Sequence, residues 1–186
     1  MDDSLFRGER VRLAAADPAR DAEAKAYWSL DSEYGRLMDS NPARPWSARM
    51  VRERLGEERE ENGFFFHIRT LSDDRLLGSI DVAVDHWSHG EGWVGIDIGE
   101  RDEWGKGYGT DAMRVMLRYA FAELNLQRVS LNVFEYNPRA IRSYEKCGFV
   151  LEGRRRQALN RDGRRWDLIH MGILREEWRE SVTSNQ

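Results

Sequence analysis

The stretch "EWGKGYGTDA", Glu103 to Ala112, places glycine at 105, 107 and 109 and then runs into a helix-forming sequence. Glycines let backbone N–H groups approach a partner closely, and a helix N-terminus adds unpaired N–H donors and the positive end of a dipole. Both features suit an anion such as a phosphate; the plainer alternative is a flexible turn before a helix. Two familiar phosphate loops fail on spacing. A P-loop requires G-x-x-x-x-G-K-[ST], whereas five residues separate Gly99 from Gly105 and Gly107 follows Lys106. A dinucleotide fingerprint requires G-x-G-x-x-G, and the pattern here is G-x-G-x-G.

Around this loop the chain alternates between two hydrophobic periods. Downstream, Met113, Met116, Leu117, Ala120, Phe121 and Leu124 recur at helical spacing and predict a helix of about four turns. Upstream, "WVGIDIG" (93–99) and "LLGSIDVAVD" (76–85) alternate as strands do, with Ile80, Val82 and Val84 on one face. "FFFHIRTL" (64–71) predicts a further strand, and Val11 to Leu13 a first one. Asp17 and Pro18 open a helix as N-cap and N1, and Ser47 caps a charged helix ending near Gly63. Beyond the glycines follow strand "RVSLNVF" (128–134), helix "NPRAIRSYEKCG" (137–148), strand "FVLEGR" (149–154), a turn at "NRDG" and strand "RRWDLIHMGIL" (164–174). Hairpins first and strand–helix alternation later indicate a mixed α/β (α+β) sheet.

The composition narrows the class. A chain of 186 residues fits one domain able to bury a core without disulfide or metal. The formal net charge of −4 gives no global pull toward nucleic acid, which is not expected as a partner. No apolar run approaches the ~20 residues of a membrane span, and the acidic N-terminus lacks a signal-like apolar segment, so no membrane partner is expected. Cys147 is the sole cysteine, which precludes an intrachain disulfide and suits a reducing, cytoplasmic location. His67, His86, His89 and His170 are too scattered for a metal site, so no metal is expected.

The glycine segment, Trp104-Gly105-Lys106-Gly107-Tyr108-Gly109, resembles motif A of the GNAT superfamily of acetyl-CoA-dependent N-acetyltransferases, [QR]-x-x-G-x-[GA], with Trp104 in the usual Gln or Arg place. "NPRAIRSYEKCGF" is similar to motif B, N-x-x-[AS]-x-x-x-Y-x-x-x-G-F. The termini, "LFRGERVRLAAADPARDAEAKAYW" and "GRRRQALNRDGRRWDLIHMGILREEW", resemble those of the subgroup acting on ribosomal-protein N-terminal alanine and spermidine. The resemblance spans nearly the whole chain and implies a single domain over 8–178 with a tail at 179–186. It implies a mostly antiparallel twisted sheet with a splayed parallel strand pair and flanking helices. It also implies that Trp104, Gly105, Lys106, Gly107, Tyr108, Gly109 and Thr110 surround the pyrophosphate of acetyl-CoA, the expected cosubstrate. Pantetheine would pair with the strand edge at Ile96, Ile98 and Gly99 as another strand would. Asn137 and Ala140 would face CoA, with Asn137 serving equally as helix N-cap.

The same resemblance implies Tyr144 as the general acid that protonates the departing CoA thiolate when an amine attacks the thioester directly. Many relatives carry a Glu where this chain has Trp93. Strand parity sets Trp93, Gly95 and Asp97 on one face, which makes Asp97 the candidate to deprotonate or steer the amine. Asp81 and Asp85 share that parity on the neighbouring strand, and Glu91 is a further candidate. The acceptor is expected to be a primary amine, either a protein N-terminus or a small molecule. A polyamine or aminoglycoside acceptor, and a non-catalytic acyl-CoA-binding regulatory domain, are the alternatives. A homodimer is left open.

Overall fold

The structure, a computed structural model, describes residues 5–57 and 61–178; the tail expected at 179–186 lies outside them. Seven strands form one sheet in the order β1-β2-β3-β4-β5-β7-β6: β1 (Val11–Ala14), β2 (Gly63–Thr70), β3 (Leu76–His86), β4 (Glu91–Ile98), β5 (Arg128–Phe134), β6 (Val150–Arg161) and β7 (Arg164–Leu174). Every neighbouring pair is antiparallel except β4 and β5. The mixed sheet expected from the sequence is therefore present. Among the described residues no helix is long and apolar enough to cross a membrane.

Helix α1 (Pro18–Trp28) starts where Asp17 accepts the N–H groups of Ala19 and Arg20, both at 3.1 Å. A second helix, α2 (Ser32–Met38), has no counterpart in the sequence reading; Asp31 caps it through the N–H groups of Glu33 and Tyr34. α3 (Ala48–Gly56) follows its Ser47 cap and ends at Gly56, earlier than the Gly63 expected. Glycine is a poor helix former, and Glu53 and Glu57 would repel one another at i,i+4 if the helix continued.

α4 (Tyr108–Arg118) lays Met113, Met116 and Leu117 against the sheet, where all three are fully buried with Ile80, Val82, Val129 and Leu131. It continues as a wider π turn over Tyr119–Glu123, in which the N–H of Leu124 bonds to Tyr119 O at 3.1 Å. Phe121 stays in the core, while the Tyr119 ring meets Phe6, Phe64 and Phe66. The predicted alternation of β3 holds: Ile80, Val82 and Val84 face α4, and Asp81, Ala83 and Asp85 face the other way. On that other face α1 and α2 build a smaller core from Trp28, Tyr34 and Leu76.

A buried polar group anchors α1 to β2. Asp21 accepts from Arg69 at 2.5 and 2.7 Å and pairs with Nδ1 of His67 at 2.5 Å, all three side chains being almost fully buried. Burial, and then the charge of Lys25, push the imidazole below its ordinary pKa. Burial would raise the Asp21 carboxyl, but Arg69 and His67 hold it below its usual value. Folded His67 thus resists a proton that the unfolded chain accepts near pH ~6.5, so stability is complete above that value and declines as pH falls below it. The Asp21 contribution has the same sign but is lost only below about pH 4. The thermal midpoint should be level between pH 7 and 8 and fall between pH 7 and 5. In His67→Gln that slope should flatten, and equal slopes for the two proteins would refute the assignment.

Candidate functional site

β4 and β5 pair only over Glu91–Trp93 and Arg128–Ser130. Beyond Trp93 the two strands diverge, while β4 stays paired to β3 as far as Ile98. The edge from Val94 to Ile98 that faces β5 therefore borders a cavity of about 430 Å³, lined across the gap by Asn132, Val133 and Phe134. The volume falls within the usual range for a small-molecule site.

The glycine loop closes one end. Gly107 is the N-cap of α4 at φ 90°, in the left-handed region, and Gly105 has φ 77°. Side chains reach such angles only with strain, which accounts for both glycines. Among the described residues no side chain caps the helix, so the first-turn N–H groups of Tyr108, Gly109 and Thr110 face the cavity's mouth without a cap. Asp111, also in the first turn, points away: it accepts the N–H groups of Glu9, Arg10 and Val11 at 3.1, 2.8 and 3.0 Å. The one first-turn carboxylate is thereby kept off the anion-attracting end. Arg10 in turn donates to the carbonyl of Lys106.

Trp104 donates from Nε1 to the carbonyl of Ile98 at 2.7 Å and lies under the guanidinium of Arg139, 3.8 Å from the ring centroid. Arg139, Arg142 and Lys146 all line the cavity. Burial lowers the pKa of Arg139, which nonetheless stays charged at neutral pH. Lys106 does not line the cavity; it pairs with Glu103 at 3.0 Å.

Helix α5 (Pro138–Glu145) carries Tyr144. Asn137 caps the start by accepting the N–H of Ala140 at 3.2 Å, and both residues line the cavity. At the other end the N–H of Phe149 bonds to Tyr144 O at 3.1 Å and that of Gly148 to Glu145 O at 3.0 Å, with Gly148 at φ 94°. That is a Schellman ending, and its usual apolar contact is supplied by the rings of Tyr144 and Phe149, 6.0 Å apart. The turn that stops the helix therefore also fixes the Tyr144 ring. Burial, then the nearby Cys147, push its phenol up to about 12. Ser143 and Thr110 share a 2.7 Å hydrogen bond that ties α5 to the α4 entrance.

On the opposite face Asp97 lines the cavity within a small network. Tyr34 donates to its Oδ2 at 2.9 Å, Ser79 donates to its Oδ1, and Lys25 stands 3.9 Å away while donating to Ser79 at 3.0 Å. Burial, then the charge of Asp97, raise the Tyr34 phenol far above its ordinary value, so it remains a donor. Nothing in the local sequence singles out Tyr34, Lys25 or Ser79; the one clue to Tyr34 is Asp31, a helix N-cap type three residues before it.

Of the residues expected at the site, Ile96, Asp97, Ile98, Trp104, Gly105, Gly107, Tyr108, Gly109, Thr110, Asn137, Ala140 and Tyr144 line this cavity. Gly99 does not: a Cβ there would fall 2.0 Å from the Trp28 ring, so it is glycine to admit that ring. Glu91 sits at the closed, paired end, 3.5 Å from Arg128, and does not line the cavity. Nor do Asp81, whose carboxylate lies against Gly95, or the exposed Asp85.

Residues 10–150 match the model of the acetyltransferase (GNAT) domain family. The chain is 33% identical over 175 residues, 94% of its length and 96% of the relative's, to the SPbeta prophage-derived uncharacterized N-acetyltransferase YokL of Bacillus subtilis. It is 32% identical over 103 residues, 55% of its length, to the spermidine N(1)-acetyltransferase of Vibrio cholerae, of which the match covers 59%. The solved structure of spermidine N-acetyltransferase from Vibrio cholerae in complex with CoA and spermine has a similar fold, with TM-score 0.79 at 23% identity over 90% of this chain and 97% of that one.

Because Asp111 holds three backbone donors, Asp111→Ala should lower unfolding stability by about 2–4 kcal/mol, more than a surface carboxylate would. Urea denaturation measures this directly, and a loss under ~0.5 kcal/mol would mean those amides find other acceptors.

Proposed function

The chain belongs to the GNAT acetyltransferase family, and from that premise we propose that it moves the acetyl group of acetyl-CoA to a primary amine by direct attack. The observation that carries the reading is the gap between β4 and β5, with a bare helix entrance at one end and Tyr144 beside it. The V. cholerae neighbour, whose structure holds CoA and spermine, supports the choice of donor.

The residues suit the group. The first-turn N–H groups of α4 and the cations Arg139, Arg142 and Lys146 would hold the pyrophosphate. The free edge at Ile96 would pair with the amides of the pantetheine arm. Acetyl-CoA supplies an activated thioester; the chain's own task is to align it and to manage protons. Tyr144 is proposed to donate its proton to the leaving sulfur. A phenol held near 12 stays protonated throughout the neutral range, as that role requires. Asp97 is proposed to steer the ammonium end of the acceptor. Both its oxygens already accept hydrogen bonds, so the amine's proton would leave through water more readily than to Asp97 itself.

Turnover of Tyr144→Phe at saturating acetyl-CoA should fall by ~10²-fold while the fold survives, since the ring that contacts Phe149 is kept. In the wild type kcat/KM should climb with pH toward ~10 as the acceptor loses its proton, with no alkaline fall from Tyr144 below that value. Equal turnover of the two proteins with chemistry rate-limiting would make Tyr144 a packing residue only.

A further inference from the structure

Beside the end of α2 and β5 the cavity continues into a second one of about 370 Å³, and the two share Met38, Asn132 and Phe134. Asp39 and Ser40 roof this space. The roof is pinned by Arg161, whose Nη2 donates to the carbonyls of Asp39, Ser40 and Asn41, each at 2.9 Å, and by the pair Arg36–Asp162 at 2.5 Å. Its floor is the face of β7 and β6 that presents Leu168 and, directly opposite it, Arg155.

The β6 strand is distorted at this point. Arg155 pairs with Leu168 and Leu159 with Trp166, so four steps along β6 match two along β7. The excess is taken up by Gln157, a non-glycine residue at φ 52°, whose N–H is held by Asp167 Oδ1 at 2.9 Å. Bulges of this kind re-aim neighbouring side chains, and left-handed strain in a non-glycine residue concentrates at functional sites. Here the bulge brings Arg155, Ala158 and Leu159 into the cavity wall.

Charge accounting gives the sign of the ligand. Asp97 has Lys25, Tyr34 and Ser79 as partners, and Asp39 accepts through Oδ1 from the N–H and side-chain amide of Asn41. Glu135 and Asp167 share Arg154, and Asp162 has Arg36. Arg155, in contrast, makes no side-chain hydrogen bond or ion pair among the described residues. A polycation would bring its distal charges against a guanidinium that no carboxylate pairs, while Asp39, on the roof, lies beside the guanidinium of Arg161 that holds its carbonyl. Building on the acetyl-transfer reading, we propose that the acceptor is an amine bearing a carboxylate at its far end, bound by Arg155. β6 lies two strand spacings, roughly 10 Å, from β5. Several bonds must therefore separate the amine from the carboxylate, as in an ω-amino acid or a short acidic peptide.

Three linear amines of equal chain length test this: hexylamine, ω-aminohexanoate and hexamethylenediamine, which differ in the charge of the far end. Acetyl-CoA-dependent thiol release should favour aminohexanoate over hexylamine by about tenfold or more in kcat/KM, with the diamine last. Arg155→Gln should bring the aminohexanoate-to-hexylamine ratio to about one, and Arg155→Glu should invert it in favour of the diamine. Arg155→Lys should retain part of the preference. Thiol release that ignores the far charge, prefers the diamine, or keeps its order in Arg155→Gln would overturn this inference alone. No amine-dependent release with any of the three would overturn the acetyl-transfer reading and this inference with it.

Discussion

Everything at the centre of this molecule follows from two parallel strands that part after three residues. A strand edge inside a protein leaves N–H and C=O groups that must find partners, and the chain leaves Val94–Ile98 open toward β5. Part of the debt is met internally, since Trp104 donates to Ile98 O. The α4 entrance approaches this edge at Gly109, where a methyl group would lie in ordinary contact, 3.7 Å from Ile98 and 4.0 Å from Ile96. The opening is bounded by residues of α4 and α5 as well as by the two strands.

The two faces of the sheet do different work around that opening. On one, α4 and α5 are joined through Thr110 and Ser143 and present bare amides, cations and a protonated phenol. On the other, α1 and α2 are joined to β3 and β4 by the run Lys25–Ser79–Asp97–Tyr34, which consumes the carboxylate it contains. Partly buried charges are tolerable only when so paired. The same arrangement gives α2, only seven residues long, a reason to stay folded over the cavity.

What was legible in the sequence was local. Glycines 105 and 107, the Asn137 cap and the Tyr144 to Phe149 ending are encoded within a few residues of where they act, and the alternation of β3 and the stripe of α4 fixed the core. Gly99 was legible as a glycine but not as a seat for Trp28, because that contact spans distant parts of the chain. The Asp97 partners come from three other elements, so parity placed the residue on the right face without exposing its engagement. The bulge in β6 carried no warning at all. Its left-handed residue is Gln157, where glycine or asparagine would have signalled the turn.

That bulge lies on the last strand of the sheet, which among the described residues has a neighbour on one side only. Extra residues there displace no second partner strand and leave β4, α4 and α5 untouched. An insertion or deletion at this rim can therefore reshape the wall of the second cavity, which no residue of the glycine loop lines. The edge of the sheet is where a change of that wall costs the rest of the fold least.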